Sequence, residues 1–468
     1  MKMKKMFALL LAMMMVITMV AGCGGDNTTD DEGGNATTYD NSITVIWDSS
    51  AFLYDFENID SAITKAEKEI ASGMTKDSPL VQAQIANTKL IRDWAAEKEY
   101  NITSVAWGWA DSLTSKLNAA FLAKEGPDLI LGETQMPKYA ADGNLVAFPD
   151  DLAAYIRENC SPAAYQDMEY DGKIYGICLT PSPTILVWNK DILKQTASYG
   201  EGTSVYENGP KDWAEWEAVM KEVDALNSTQ KYAGGVYCAG NYGGYLRVGA
   251  LMNGAGGGYA DASGNPAINT AENKLAMEFV RKTYSHTIPG ILNAIQDSDY
   301  LTAFDRGNLA YKMDGVWSIY ESQNLNFECG FAPVPGIKEG ESSNMLIGAA
   351  YMGVPTYSNN QEIVFDLIKR MIQEDIQSNI GNAGLRTPVL KSVITSETYK
   401  QAHPELYTFA NNMLDGSVRG LPVFVHNQMD LWDAVGDALN SILTTDQDIT
   451  AVLATAQGAM EKANQPNK

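Results

Sequence analysis

From Asn41 onward the spacing of apolar and polar positions reads as strand, helix, strand. Ser42-Ile-Thr-Val-Ile-Trp47 is a β-branched run that predicts a strand, with Asp48-Ser-Ser as its polar loop. From Ala51 to about Tyr100 the period becomes helical, marked by Val81, Ile85, Leu90, Ile91 and Trp94, and Ile102-Thr-Ser-Val-Ala-Trp107 returns to a strand. Asp111 caps a helix with Leu113, Leu117, Ala120 and Phe121 on one face, Gly126-Pro127 ends it, and Asp128-Leu-Ile-Leu131 is a short buried strand. That order of elements predicts a parallel sheet with right-handed crossovers.

Tyr170 to Leu193 reads as two apolar strands separated by the break Pro181-Ser-Pro183 and closed by Asn189-Lys-Asp. Asp171-Gly172 suits a tight turn, and the two prolines remove backbone donors and hold the link extended. Asp212-x-x-Glu215 is a capping box opening a helix with Trp213, Trp216, Val219, Met220, Val223 and Leu226 at helical spacing, so these tryptophans are expected in a core. Gly234 to Tyr259 is rich in glycine and tyrosine; no Lys-Ser or Lys-Thr follows Gly254-Ala-Gly-Gly-Gly258, which excludes a phosphate loop and predicts open turns instead. Ala260 to Asn269 predicts a hairpin turn, and Asn269-x-x-Glu272 a cap for a helix with Leu275, Phe279 and Val280 inward. Gln361 to Ile380 reads as one amphipathic helix, and a final pair of helices lies between Pro404 and Asn464.

At 468 residues the chain exceeds one ordinary core and is long enough for two. Lys2, Lys4 and Lys5 precede an apolar run from Phe7 to Val20, the layout of a secretory signal and too short for a spanning helix. Gly24 to Thr38 holds no apolar residue larger than Ala, so it cannot pack and predicts a flexible tether of about 20 Å r.m.s. span. Loss of the three early lysines takes the net charge from −24 to about −27, which argues against nucleic acid or anionic lipid as a partner. Cys160, Cys178, Cys238 and Cys329 lack C-x-x-C spacing and His286, His403 and His426 lack ligand spacing, so no metal site is indicated. Disulfides among the four cysteines stay open.

Four stretches together resemble a known family. They are Asp171-Gly-Lys-Ile-Tyr-Gly with Trp188-Asn-Lys-Asp-Ile-Leu193, Pro127-Asp-Leu-Ile with Tyr139-Ala-Ala-Asp-Gly-Asn-Leu-Val146, Ala303-Phe304 through Met313-Asp-Gly-Val-Trp317, and Gly330-Phe-Ala-Pro-Val-Pro335. They resemble extracellular solute-binding proteins of the maltose-binding type, the receptor lipoproteins of carbohydrate ABC importers, over essentially Ile43 to Ala463. The resemblance implies an α/β, two-lobe, periplasmic-binding-protein-like fold with a hinge and an interlobe ligand cleft. It implies a carbohydrate ligand, ABC transporter permease subunits as partners, a monomer without cofactor, and no catalysis. Val20-Ala21-Gly22-Cys23 resembles a lipobox, implying a signal peptide over residues 1–22, a lipid on Cys23, a tether over 23–40, and a membrane link through that anchor alone. Lobe 1 is expected over 41–149 plus 345–390 and lobe 2 over 150–344 plus 391–468, with chain crossings near Pro149, Leu346 and Leu390.

A neutral sugar needs aromatic faces for its C–H surfaces and paired polar groups for its hydroxyls, and in open α/β sheets such sites collect beyond the carboxyl ends of strands. Trp47 with Asp48, Trp109 beside Trp107 and Asp111, Asp314 with Trp317, and Arg386 sit at such junctions. The family's cleft aromatics fall on Trp317, Trp432 and Tyr242, and Glu133-Thr-Gln135 stands where some members place an aromatic, which suggests a polar contact. An aromatic at a strand end also belongs in the core about as often as in a pocket. Two rivals remain: a same-fold receptor for a peptide or polyamine, and an exported glycoside hydrolase with paired carboxylates, for which no signature appears.

Overall fold

Ile43 and Val45 in β1 (Ser42–Ile46) are buried while Ser42 and Thr44 are only half-buried, the alternation of a strand with one face on a core. In the computed structural model the described residues are 41–46, 53, 59–73, 78–108, 110–133, 135–226, 233–234, 242–287, 297–422 and 428–465. The helical stretch after β1 is two helices, α1 (Ile59–Ala71) and α2 (Ser78–Glu97), after which β2 (Asn101–Val105) pairs parallel to β1 with Ile43 opposite Ile102. α3 (Ala110–Ala123) leads to β3 (Ile130–Gly132), and a parallel bridge from Val45 to Leu129 ties that strand's entry to β1. Beyond β3 the sheet is antiparallel. Met352 of β11 (Tyr351–Gly353) lies opposite Leu131 on one side and opposite Ile177 of β6 (Ile177–Cys178) on the other. The all-parallel expectation therefore holds only for the first crossovers, because β11 arrives from the far part of the chain and runs against β3.

The second sheet is organised by β7 (Ser182–Asn189), whose eight residues are all buried. β8 (Tyr311–Gly315) flanks it on one side; on the other run β9 (Cys329–Pro333) and β10 (Leu346–Gly348), and every pairing is antiparallel. Leu186 and Trp188 join one core with Trp213, Trp216 and Phe279, while Ile185 and Val187 join another with Tyr300 and Phe304. A strand covered by helices on both faces has no room for polar alternation, which explains its unbroken apolar run. Pro183 is part of β7 and does not break it: pairing with β8 begins only at Thr184, so the missing N–H leaves no gap in that ladder. The hairpin between β4 (Glu169–Tyr170) and β5 (Lys173–Ile174) turns on Asp171 at φ 49° and Gly172 at φ 73°, the double positive φ of a type I′ turn.

A separate core surrounds the first sheet. It takes in Leu113, Ile130 and Ile156, and it includes Leu152 through Leu179, Ala163 excepted, and Tyr351 through Val393; Ala163, Ile185 to Ile347 and the residues from Ile394 onward pack with the second sheet.

Local expectations fare unevenly. Asp212 caps α6 (Trp213–Asp224), its Oδ1 accepting from the Glu215 N–H at 2.8 Å, while Glu215 accepts from the Lys211 N–H at 2.8 Å. Trp213 and Trp216 are buried in the core, as the spacing predicts. The glycine-rich run is part helix and part turn: α7 (Tyr242–Gly254) occupies its middle, and the expected turns follow at 255–258, with Gly256 at φ 83°; Gly249 lets the helix meet Met345 and Tyr259, with no room for a Cβ. Close packing outweighs the low helix propensity of glycine there. The cap of α8 (Ala271–Ser285) is Thr270, not Asn269. Gln361 to Ile380 is two helices, α11 (Gln361–Met371) and α12 (Glu374–Ala383), and Arg370 spans the joint to Asp375 with two 2.7 Å bonds. Three longer helices close the chain, not a pair: Pro404–Asn412, α14 (Gln428–Thr444) and α15 (Ile449–Ala463). Cys160, Cys178 and Cys329 are free thiols, and Cys238 lies outside the described residues.

Candidate functional site

β8 ends in a strand-to-helix elbow, and everything local to it fixes one side chain. The Val316 N–H donates to Ser182 Oγ at 3.0 Å, and Ser318 Oγ donates to Asp314 Oδ2 at 2.7 Å across one turn. The short helix α10 (Trp317–Glu321) thus starts in a set direction and lays the Trp317 indole over the sheet. A Cβ on Gly315 would lie 2.1 Å from the ring and one on Gly348 2.9 Å from it, so both floor positions must be glycine. Trp317 is only partly buried, and the Arg386 guanidinium carbon sits over it, 4.2 Å from the ring centroid. Arg386 follows α12, which Gly384 ends in the left-handed region at φ 70°, and the next residue, Thr387, donates its hydroxyl to the Pro181 carbonyl. The elbow of the second sheet and the segment beyond α12 therefore converge beside the stretch where the chain leaves β6 for β7.

Asp314 does not face this site. It is 1% exposed, bonded to Ser318, with Lys312 Nζ 3.5 Å from one carboxylate oxygen and Arg247 Nη2 3.9 Å from the other. Arg247, itself fully buried, also donates through Nε to the Met313 carbonyl at 2.7 Å. Asp314 alternates with Met313 along β8 and points to the inner side, where it balances two buried cations; the expected role in orienting ligand hydroxyls is corrected accordingly. Glu321, one turn past Trp317, takes its place on the open side. It keeps contact with solvent, yet the protein around its carboxyl and then the Asp314 carboxylate push its pKa up to about 7, against the pull of Lys312 and Arg386.

Trp432 on α14 is 8% exposed and packs as a core residue, stacked on Tyr245 (centroids 5.1 Å, 17°) and edge-on to Tyr259 (5.1 Å, 87°). Glu133 lies in the bend after β3, partly buried, its carbonyl accepting from the Met136 N–H. Two residues on, Gln135 Nε2 is shut from solvent with no hydrogen-bond partner, an unmet donor at the strand end where a polar contact is expected. Trp47, Asp48 and Trp109 lie outside the described residues, as does the side chain of Tyr242. Of the sequence candidates, the structure brings Trp317 and Arg386 together. Trp107 packs against the first core.

One group was not legible in the sequence. A narrow crevice lies between the two sheets and is lined by Pro137, Asp167, Leu246, Gly348, Tyr351 and Leu421. Asp167 is its polar anchor, accepting from the Gly420 N–H at 2.7 Å and the Tyr351 hydroxyl at 3.0 Å, with Arg419 at 3.6 Å. Burial pushes the Asp167 pKa up while these partners pull it down. Its lining residues come from five separate parts of the chain, and no spacing rule links them. Among the described residues there is no cluster of metal-ligating side chains and no helix long and apolar enough to cross a membrane.

A model of the family described as bacterial extracellular solute-binding protein matches residues 89–408, more than half of the chain. Among curated relatives, the galactooligosaccharide-binding protein of Bacillus subtilis is 21% identical over 61% of this chain and 65% of its own length. Maltodextrin-binding protein MdxE of the same organism is 24% identical over 42% of this chain and 46% of its own length. The chain thus spans under two thirds of either relative. Among solved structures, the cyclic alpha-maltosyl-1,6-maltose binding protein from Arthrobacter globiformis superposes with a TM-score of 0.67 at 19% identity, covering 90% of this chain and 98% of that one. Maltose-bound MalE3 of T. maritima gives 0.64 at 18%, covering 80% and 95%. At such identities the likeness shows the fold, and that fold is the two-lobe α/β architecture of binding proteins.

Proposed function

Because the chain belongs to the bacterial extracellular solute-binding protein family and so acts outside the cytoplasm, we propose that it is the substrate-binding lipoprotein of an ABC importer, capturing a sugar or oligosaccharide and passing it to the membrane permease. The observation that carries this reading is Trp317, an aromatic ring held partly open on a glycine floor where two sheets meet. An indole so placed suits the C–H face of a pyranose. The binding names of the two curated relatives, and the sugar ligands named for the two solved structures, support the same class. Glu321, four residues on from the ring in the same helix, supplies a carboxyl on that side. The chain acts by binding, without catalysis or cofactor.

The lobes follow the two cores. The packing of Leu152 through Leu179 with the first sheet supports moving the first crossing from Pro149 to between Leu179 and Ile185, with the others at 347–351 and 393–394. Cys23 carries the lipid and residues 23–40 form the tether of a monomer. Thermal shift and calorimetry against sugar, amine and peptide panels, with product analysis of every hit, test the reading. A sugar that binds and is recovered intact is expected; binding only of amines or peptides, or a cleaved sugar, overturns it. Cys23→Ala is expected to leave the protein soluble or unprocessed, and a fully cleaved variant that still partitions with membranes refutes the anchor.

A further inference from the structure

The Trp317 ring is held from two directions. The Gly315 and Gly348 backbones lie against its outer edge, at Cζ3 and Cη2, close enough that a Cβ on either would strike the ring, and its body packs on the core of the second sheet. The Arg386 guanidinium carbon lies over the ring, 4.2 Å from the centroid. The contact also joins the two bodies of the molecule. Trp317 packs against the core of the second sheet, and Arg386 follows Leu385 in a segment that packs against the core of the first. Thr387, bonded to the Pro181 carbonyl, fixes that segment beside the crossing, so the guanidinium is delivered to the ring by the backbone.

The geometry points to Arg386 as a built-in occupant of the stacking position. Its planar cation covers the indole face that a ring ligand needs, so ligand must displace it and Arg386 sets the affinity threshold at this subsite. Arginine is suited to this, since its guanidinium stacks flat on aromatic faces and gains a cation–π attraction there. The assignment reverses the role that sequence position suggests for Arg386. It competes with the ligand for Trp317 and does not hold the ligand's hydroxyls.

This inference rests on Trp317 as a ligand contact, and the two can be separated. In the ligand-free protein, acrylamide quenching is compared for the native chain, Arg386→Ala and Arg386→Lys, each with and without Trp317→Phe, so that the Trp317 signal is obtained by difference. Calorimetry with a maltodextrin and a galacto-oligosaccharide is run on the same proteins and on Trp317→Ala. Arg386→Ala is expected to raise quenching of Trp317 and to tighten binding roughly fivefold to thirtyfold, with Arg386→Lys between it and the native chain. Unchanged quenching in Arg386→Ala overturns the inference, as does weaker or unchanged binding in that variant when Trp317→Ala also weakens binding. If quenching rises while Trp317→Ala leaves affinity unchanged, Arg386 covers the ring but Trp317 is not the binding surface, and the site reading fails alone. Melting curves of Arg386→Ala and Arg386→Lys check that both are folded; the lysine variant retains the charge if the alanine variant is not.

Discussion

Trp432 belongs to the core of the second sheet and Trp317 packs against that core from outside, and what surrounds each ring decides what it can do. Trp432 has one face stacked on Tyr245 and an edge contact with Tyr259, both of them buried, so its ring surface is spent inside the protein. Trp317 rests on backbone at the margin of that core and carries over its ring a side chain that could swing away. Truncation should separate them. Trp317→Ala is expected to weaken sugar binding by roughly 1–3 kcal/mol, about fivefold to 150-fold in Kd, while the ligand-free melting temperature moves by a few degrees. Trp432→Ala is expected to lose about 3–5 kcal/mol of fold stability, as a large core cavity does. Calorimetry and melting on the two variants check this, and the reverse pattern would move the binding surface to α14.

At the scale of elements, α10 works because residues four apart share a face. Trp317 and Glu321 lie on its open side, and Ser318 turns inward to Asp314 of the strand before it. Glu321 therefore titrates in the site with a pKa of about 7 where an isolated glutamate has 4.5. A raised pKa means the folded chain prefers the protonated form, so the stabilising contribution is complete below about pH 4.5 and fades as pH rises through about 7. Glu321→Gln should remove that dependence. Its melting temperature is expected to gain on the native protein between pH 5 and pH 8, and parallel curves across that window would deny the shift. The same scale shows what the sequence could say. The box at Asp212 and Glu215 is readable because a cap is a local bond between residues three apart. The helix at Tyr242–Gly254 is not, since its glycines are selected by contact with Met345 and Tyr259, the latter beyond the helix and the former far along the chain. Asp314 shows the limit for the site itself. Its neighbour Trp317 is legible from a motif, but which side of β8 a carboxylate faces depends on Arg247, 67 residues away, and Lys312.

For the molecule as a whole, two sheets with separate cores are joined where the chain passes between Leu179 and Ile185, between Ile347 and Tyr351, and between Val393 and Ile394. Three short passages leave few covalent links to resist rotation of one body against the other. Among the described residues the groups between the bodies include polar contacts: Asp167 with Gly420, and Arg386 over Trp317. Polar contacts of this kind rearrange at low cost because water can replace them, whereas the apolar cores on either side move as units. A ligand that touches both bodies gains its contacts only when they approach, so it should draw them together to the extent of its differential affinity for the closed form. Small-angle scattering with and without a saturating sugar measures this directly. A smaller radius of gyration at saturation is expected for the native protein, and in Arg386→Ala the ligand-free value should be larger than native because the bridge to Trp317 is gone. A radius that sugar leaves unchanged at saturation, in a protein shown by calorimetry to be fully bound, would mean that the bodies are fixed and that the site is preformed.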